Sequence, residues 1–132
     1  MRTAVDSNIL FDIVKSALGA PRAQTALETQ LSEGSLCICS VVVAELGRYF
    51  DSSGDLQDFL SDCQIIYDPM SFATSVEAAR IMRIYASNKR TRDRVAPDFL
   101  IGAHALIQAD ALLTNDEGFF RNYFSGLLVI GA

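Results

Sequence analysis

APDFLIGAHALIQADALLT (96–114) is the stretch whose reading decides the fold. Phe99, Leu100, Ile101, Ala103, Leu106 and Ile107 place apolar side chains on nearly every side of a predicted helix over 98–109, the mark of a helix covered all round. ALLT (111–114) follows almost at once, four residues without polar alternation, as expected of a parallel strand buried on both faces. Asp98 stands in the first turn of that apolar helix, where it either caps the helix or meets something else.

Outward from there the same alternation recurs. Short apolar runs predict strands at 3–5, 36–40, 64–67, 111–114 and 127–130. Between them, helical patterns span about 7–16, 21–32, 41–50, 55–62, 72–88, 98–109 and 117–123, with Ser40 expected to cap the third. Such alternation builds an α/β layer sandwich with a mostly parallel central sheet of four to five strands. The 132 residues carry no repeat or linker and predict a single domain. The most irregular stretch is the charged run ASNKRTRDRVAP (86–97).

Half of the residues are hydrophobic and a fifth are charged, which excludes a disordered chain. No apolar run approaches the ~18 residues of a membrane span. Asp6 and Asp12 interrupt the N-terminal stretch where a signal peptide needs a clean apolar core, so an intracellular, cytoplasmic protein is expected. Cys37, Cys39 and Cys63 form no CxxC pair and His104 is the sole histidine, so a soft-metal site lacks ligands and buried thiols are the better reading. The net charge of −5 argues against a nucleic-acid partner, but the distribution of charge argues the other way. Six of the 11 basic residues, Arg80, Arg83, Lys89, Arg90, Arg92 and Arg94, fall within 15 positions that hold Asp93 and no other acid. Local sign governs contact with a phosphate backbone.

Four carboxylates stand where sites form in open α/β sheets, beyond the carboxyl ends of strands. Asp6 follows the first strand, Glu45 lies in the helix after the second, Asp98 opens the apolar helix, and Asp116 follows ALLT after Asn115. Each aspartate alone has an ordinary account in turn or cap chemistry. Glu45 is harder to dismiss, because apolar neighbours surround it. Together, four acids on one sheet edge would repel one another and push at least one to protonate. A hard divalent cation such as Mg²⁺ or Mn²⁺, which takes oxygen ligands, resolves this.

In order and spacing, AVDSNILFDI (4–13), SVVVAELGRYF (40–50), APDFLIGAHAL (96–106) and LLTNDEGFF (112–120) resemble the four acidic motifs of PIN-domain ribonucleases. The small size makes the chain most similar to the VapC-like toxins of toxin–antitoxin pairs. The resemblance runs from about residue 3 to 130, and DEGFF departs from it by one residue in the spacing of its aromatic. It implies a PIN-like three-layer sandwich and a metal-dependent endoribonuclease acting on RNA. Asp6, Asp98 and Asp116 would bind Mg²⁺ or Mn²⁺ directly, with Glu45 acting through water. Asn8 and Thr114 match polar neighbours of the first acid and the metal. It further implies a homodimer and a cognate small antitoxin protein, with a housekeeping RNA-processing nuclease or a non-catalytic PIN-like binding module as alternatives. A phosphatase or receiver domain also places an acid after the first strand, but DSN (6–8) lacks the Asp-x-Asp that the former needs.

Remaining residues have expected structural roles. His104 lies about 240° round the helix from Asp98 and faces away from it. Phe119, Phe120, Tyr123 and Phe124 are expected to be core or dimer surface rather than base-stacking platforms. Lys89, Arg90, Arg92 and Arg94 are expected to guide RNA, and Ile9, Leu10, Ile13 and Val14 are either core or a groove for an antitoxin helix.

Overall fold

Strand β1 (Arg2–Val5) occupies the middle of a five-stranded, all-parallel sheet, with β2 (Ser35–Ile38) then β3 (Ile65–Tyr67) on one side and β4 (Ala111–Thr114) then β5 (Leu128–Gly131) on the other. The computed structural model describes residues 1–88 and 94–132. Along the described chain β1 is followed by α1 (Ser7–Val14), α2 (Ala20–Glu33), β2 (Ser35–Ile38), α3 (Ser40–Gly47), α4 (Ser53–Asp62), β3 (Ile65–Tyr67) and α5 (Phe72–Asn88). Then come α6 (Ala96–Gln108), β4 (Ala111–Thr114), α7 (Glu117–Tyr123) and β5 (Leu128–Gly131). Parallel neighbours demand crossover connections, and the helices supply them.

The helices flank both faces of the sheet. Successive strand residues point to opposite sides. Arg2 accordingly donates from Nη1 to the Gln108 carbonyl of α6 at 3.3 Å, while Thr3 Oγ1 donates to Gln30 Oε1 of α2 at 3.4 Å. β4 is buried along its whole length, as a strand covered on both faces must be. Across it packs α6, with Phe99, Ile101, Ala103, His104 and Ala105 all buried. The helix is not covered all round, however, since Ile107 in its last turn is 46% exposed.

Local chemistry moves several expected boundaries. β2 ends at Ile38, and Ser40 is not a cap but the first residue of α3, with Cys39 at the cap position. Ser40 Oγ instead accepts from the Met70 amide at 3.3 Å and lies 3.2 Å from Tyr67 Oη, tying α3 to the chain that leaves β3. Ser52 is a true cap, accepting from the Asp55 amide at 3.1 Å, so α4 begins two residues before the predicted 55. Pro97 lies in the first turn of α6, where its missing N–H costs nothing, so the charged run gives way to helix earlier than expected. Val95, not Asp98, holds the cap position of that helix.

Phe120 and Phe124 are each 1% exposed, and Phe119 stands edge-on to Phe99 and Tyr85. Phe119, Phe120 and Phe124 are therefore core, and Tyr123 is half-buried against it. Ile9 and Leu10 are fully buried and Ile13 and Val14 pack against the core, so the first two cannot line a partner groove. Cys37, Cys39 and Cys63 are unbonded to one another, and burial raises all three thiols, Cys37 to about 11. No helix among the described residues is long and apolar enough to cross a membrane.

Candidate metal centre

The sheet order reverses at β1, with β2 and β3 on one side and β4 and β5 on the other. The crevice at such a switch point, beyond the carboxyl ends of the strands, is where open α/β sheets place ligands. Val5 pairs with Leu113, and the Asp6 amide continues the ladder by donating to the Leu113 carbonyl at 2.9 Å. Asp6 thus leaves β1 beside Thr114, and Asp116 leaves β4 two residues later. α3 follows β2 and contributes Glu45, while α6 runs back before β4 and so presents its first turn, with Asp98, at the same edge. Topology alone gathers acids that are far apart in sequence.

Hydrogen bonds then join them pairwise. Thr114 Oγ1 donates to Asp6 Oδ2 at 2.7 Å and accepts from the Asp116 amide at 2.9 Å, so one hydroxyl sets both acids. Asn8 donates from Nδ2 to Asp6 Oδ2 at 3.2 Å, and its Oδ1 accepts from the Asn115 amide at 3.2 Å. Ser7 Oγ donates to Glu45 Oε1 at 2.8 Å and lies 3.4 Å from Asp6 Oδ1, bridging the first and second acids. Asp98 Oδ2 lies 3.5 Å from Arg94 Nη1. That same guanidinium holds Asp116 as a fork, through Nη1 to Oδ2 and through Nη2 to Oδ1 at 3.2 Å.

Burial pushes the Asp6 carboxyl up to about 6; the Thr114 hydrogen bond opposes this, while the charges of Asp98 and Glu45 add to it. The ligand atoms that these acids offer are all oxygens. A set of carboxylates with one member driven toward protonation fits a hard divalent cation of the Mg²⁺ or Mn²⁺ class.

Hydrogen bonds and the Arg94 ion pairs thus link Asp6, Glu45, Asp98 and Asp116, with Asn8 and Thr114, along one edge of the sheet. Arg94 is turned onto Asp116 rather than outward. Lys89, Arg90 and Arg92 lie outside the described residues. The bridging role of Ser7 has no local signal in the sequence, since its partner is 38 positions away. The contact between Arg94 and Asp98 does have a signal, because residues four apart across a helix start are neighbours.

A second polar cluster lies elsewhere. Among the described residues, Cys37, Asp68 and His104 bring ligand atoms within 4.8 Å of one another, closer than the four acids are drawn together. Hydrogen bonding accounts for it. Burial lowers the pKa of His104, and its neutral ring donates from Nε2 to Asp68 Oδ2 at 2.9 Å. Gln108 Nε2 donates to the same oxygen at 3.1 Å, and Arg2 stands 3.8 Å away as a cation already in place. The cluster ties α6 to the end of β3 and so fixes the helix that carries Asp98.

A layered α/β fold with an acidic crevice at its switch point defines a class. The sequence matches the family model of the PIN domain over residues 3–125, and the chain belongs to that family. No curated protein sequence matches it. Solved structures of similar fold include a chain of the VapBC2 complex from Rickettsia felis bound to a DNA fragment from their promoter. That chain is 19% identical with a TM-score of 0.77, covering 100% of this chain and 99% of its own. A chain of DNA-bound VapBC from Salmonella typhimurium is 16% identical at a TM-score of 0.73, with 99% and 98% covered. A chain of FitAcB from Neisseria gonorrhoeae is 20% identical at 0.67, with 97% and 96% covered.

Proposed function

We propose that this protein is a divalent-metal-dependent endoribonuclease and the toxin of a toxin–antitoxin pair. The observation that carries the reading is the meeting of Asp6, Glu45, Asp98 and Asp116 at the switch point of a PIN domain, with Asp6 held near pKa 6 by burial and by its fellow acids. Asp6, Asp98 and Asp116 would hold Mg²⁺ or Mn²⁺, with Glu45 placed by Ser7 to act through water. The bound cation would supply Lewis-acid assistance to hydrolysis of a phosphodiester. Thr114 and Asn8 orient the Asp6 carboxylate by donating to its Oδ2, so its other oxygen remains toward Ser7. Complexes of the VapBC kind among the structural neighbours support a small protein antitoxin as partner. The family resemblance supports a homodimer.

Metal removal tests the reading. The protein stripped with a chelator should leave an RNA oligomer intact and regain cleavage when Mn²⁺ or Mg²⁺ is returned. Asp98→Asn, which keeps shape and loses charge, should not regain it. Cleavage at the parental rate by that variant would remove Asp98 from the metal site. Growth should slow when the protein is expressed alone and recover with the product of a short adjoining reading frame. Growth unaffected by the protein alone would leave a processing nuclease and not a toxin.

The basic run adds a separate expectation. If Lys89, Arg90 and Arg92 meet phosphates, the logarithm of RNA affinity should fall with the logarithm of salt, by about 0.7 per contact. Neutralising the three should flatten that slope while the melting temperature stays put. An unchanged slope would assign the run to solvation.

A further inference from the structure

We propose that Arg94 is a built-in counter-cation of the acidic centre, seated on Asp116 and Asp98 until a divalent metal ion displaces it, and that it thereby sets the affinity of the centre for metal. The proposal rests on the metal-dependent reading above.

Three attachments hold the side chain. Its guanidinium forms a two-pronged contact with Asp116, lies 3.5 Å from Asp98 Oδ2, and stacks 4.2 Å from the centre of the Phe119 ring. Phe119 is 6% exposed and locked among the core aromatics, so the shelf beneath the guanidinium is rigid. An isolated exposed ion pair contributes little. This one engages two carboxylates and a ring while the arginine side chain is only 26% exposed, the arrangement in which a planar fork outperforms a point charge.

Occupancy by metal and by Arg94 is mutually exclusive at these oxygens. A Mg²⁺-class ion needs its carboxylate oxygens at about 2.1 Å, with its remaining positions filled by water or ligand. A guanidinium in hydrogen-bond contact with both Asp116 oxygens, and within reach of Asp98, stands in that space. The spread of the acids agrees: among the described residues, no three of the four bring ligand atoms within 4.8 Å, while Arg94 lies between two of them. By linkage, whatever holds Arg94 in place is subtracted from metal binding. Once released, the side chain sits four residues before Asp98, at the rim of the centre, positioned to meet the phosphate of a bound RNA.

Mn²⁺ titration without RNA tests this, followed by the electron paramagnetic signal of the free ion, on metal-stripped wild type, Arg94→Gln and Arg94→Lys. Arg94→Gln should bind Mn²⁺ at least about tenfold more tightly. It should also melt below wild type without metal and gain more on adding Mn²⁺. Arg94→Lys keeps the charge and loses the fork, so its dissociation constant should fall between the two. A folded Arg94→Gln with unchanged or weaker Mn²⁺ binding overturns the proposal, as does Arg94→Lys binding no tighter than wild type. Mn²⁺ binding at unchanged affinity overturns this inference alone. Absence of Mn²⁺ binding by all three proteins overturns it together with the nuclease reading.

Discussion

Asp6→Asn is expected to lose RNA cleavage by a hundredfold or more and, in the absence of metal, to be more stable than the wild type at neutral pH. The first part follows because even an outer partner of a metal ligand is worth roughly 10–100-fold, and Asp6 is read as a ligand itself. The second follows from burial. Asp6 is raised from 3.8 to about 6, chiefly because its side chain is removed from water. Between those values the folded protein binds a proton that the unfolded chain releases, so stability falls as pH rises through the window. The full loss is about 3 kcal/mol above pH 6, at ~1.4 kcal/mol per unit. Asparagine carries no charge, and its Oδ1 can take the place of the Asp6 oxygen that accepts from Thr114 and Asn8. Denaturant unfolding of both proteins with a chelator, at pH 4.5 and pH 7.5, measures the effect. The advantage of Asp6→Asn should widen with pH. A gap equal at the two values would mean that Asp6 is not held in a charge-hostile setting. Such a residue trades stability for a site, which is common where function requires it.

Gly102→Ala should destabilise the protein by about 2 kcal/mol, against the trend that favours alanine in a helix by about 1 kcal/mol. A Cβ at this position would stand 2.5 Å from Phe124 Cζ and under 3 Å from both Cε atoms. The Phe124 ring cannot retreat, being 1% exposed and packed on Phe120 and Phe119. Overpacking therefore outweighs propensity. Phe124→Leu in the same chain should recover part of the loss, so that the double variant is more stable than the two single changes predict when added. Full stability of Gly102→Ala alone would show that the Phe124 ring has room to move away from α6. The position matters to function because α6 carries Asp98 in its first turn.

How much of the fold is written locally differs from element to element. ALLT is legible as a buried strand because four apolar or small residues in a row have no face to give to water, and the structure places it at 111–114. Helix α7 is likewise found at its predicted bounds. The limits of α3 and α4 are not legible, because Ser40 and Ser52 look alike as caps and differ only in what lies near them. Ser40 turns to Met70 and Tyr67 across the sheet edge, whereas Ser52 meets an amide three residues on. The place of His104 away from Asp98 is legible from the 3.6-residue turn of a helix, but its partner, Asp68, is not.

The sequence by itself determined the alternation of strand and helix, and the presence of an acid after β1, after β4 and at the head of α6. Those are consequences of periodicity and spacing, which act over a few residues. The tertiary structure decided what the acids do to one another. A parallel sheet whose order reverses at β1 brings Asp6 and Asp116 into contact through Thr114, a residue 108 positions from Asp6. Burial of Asp6 then raises its pKa, and Arg94, which in sequence reads as one more member of a basic run expected to guide RNA, folds back onto Asp116 and Asp98. Charge is written in the sequence. The water taken from around it, and the counter-charge set beside it, are decided only by distant parts of the chain packing together.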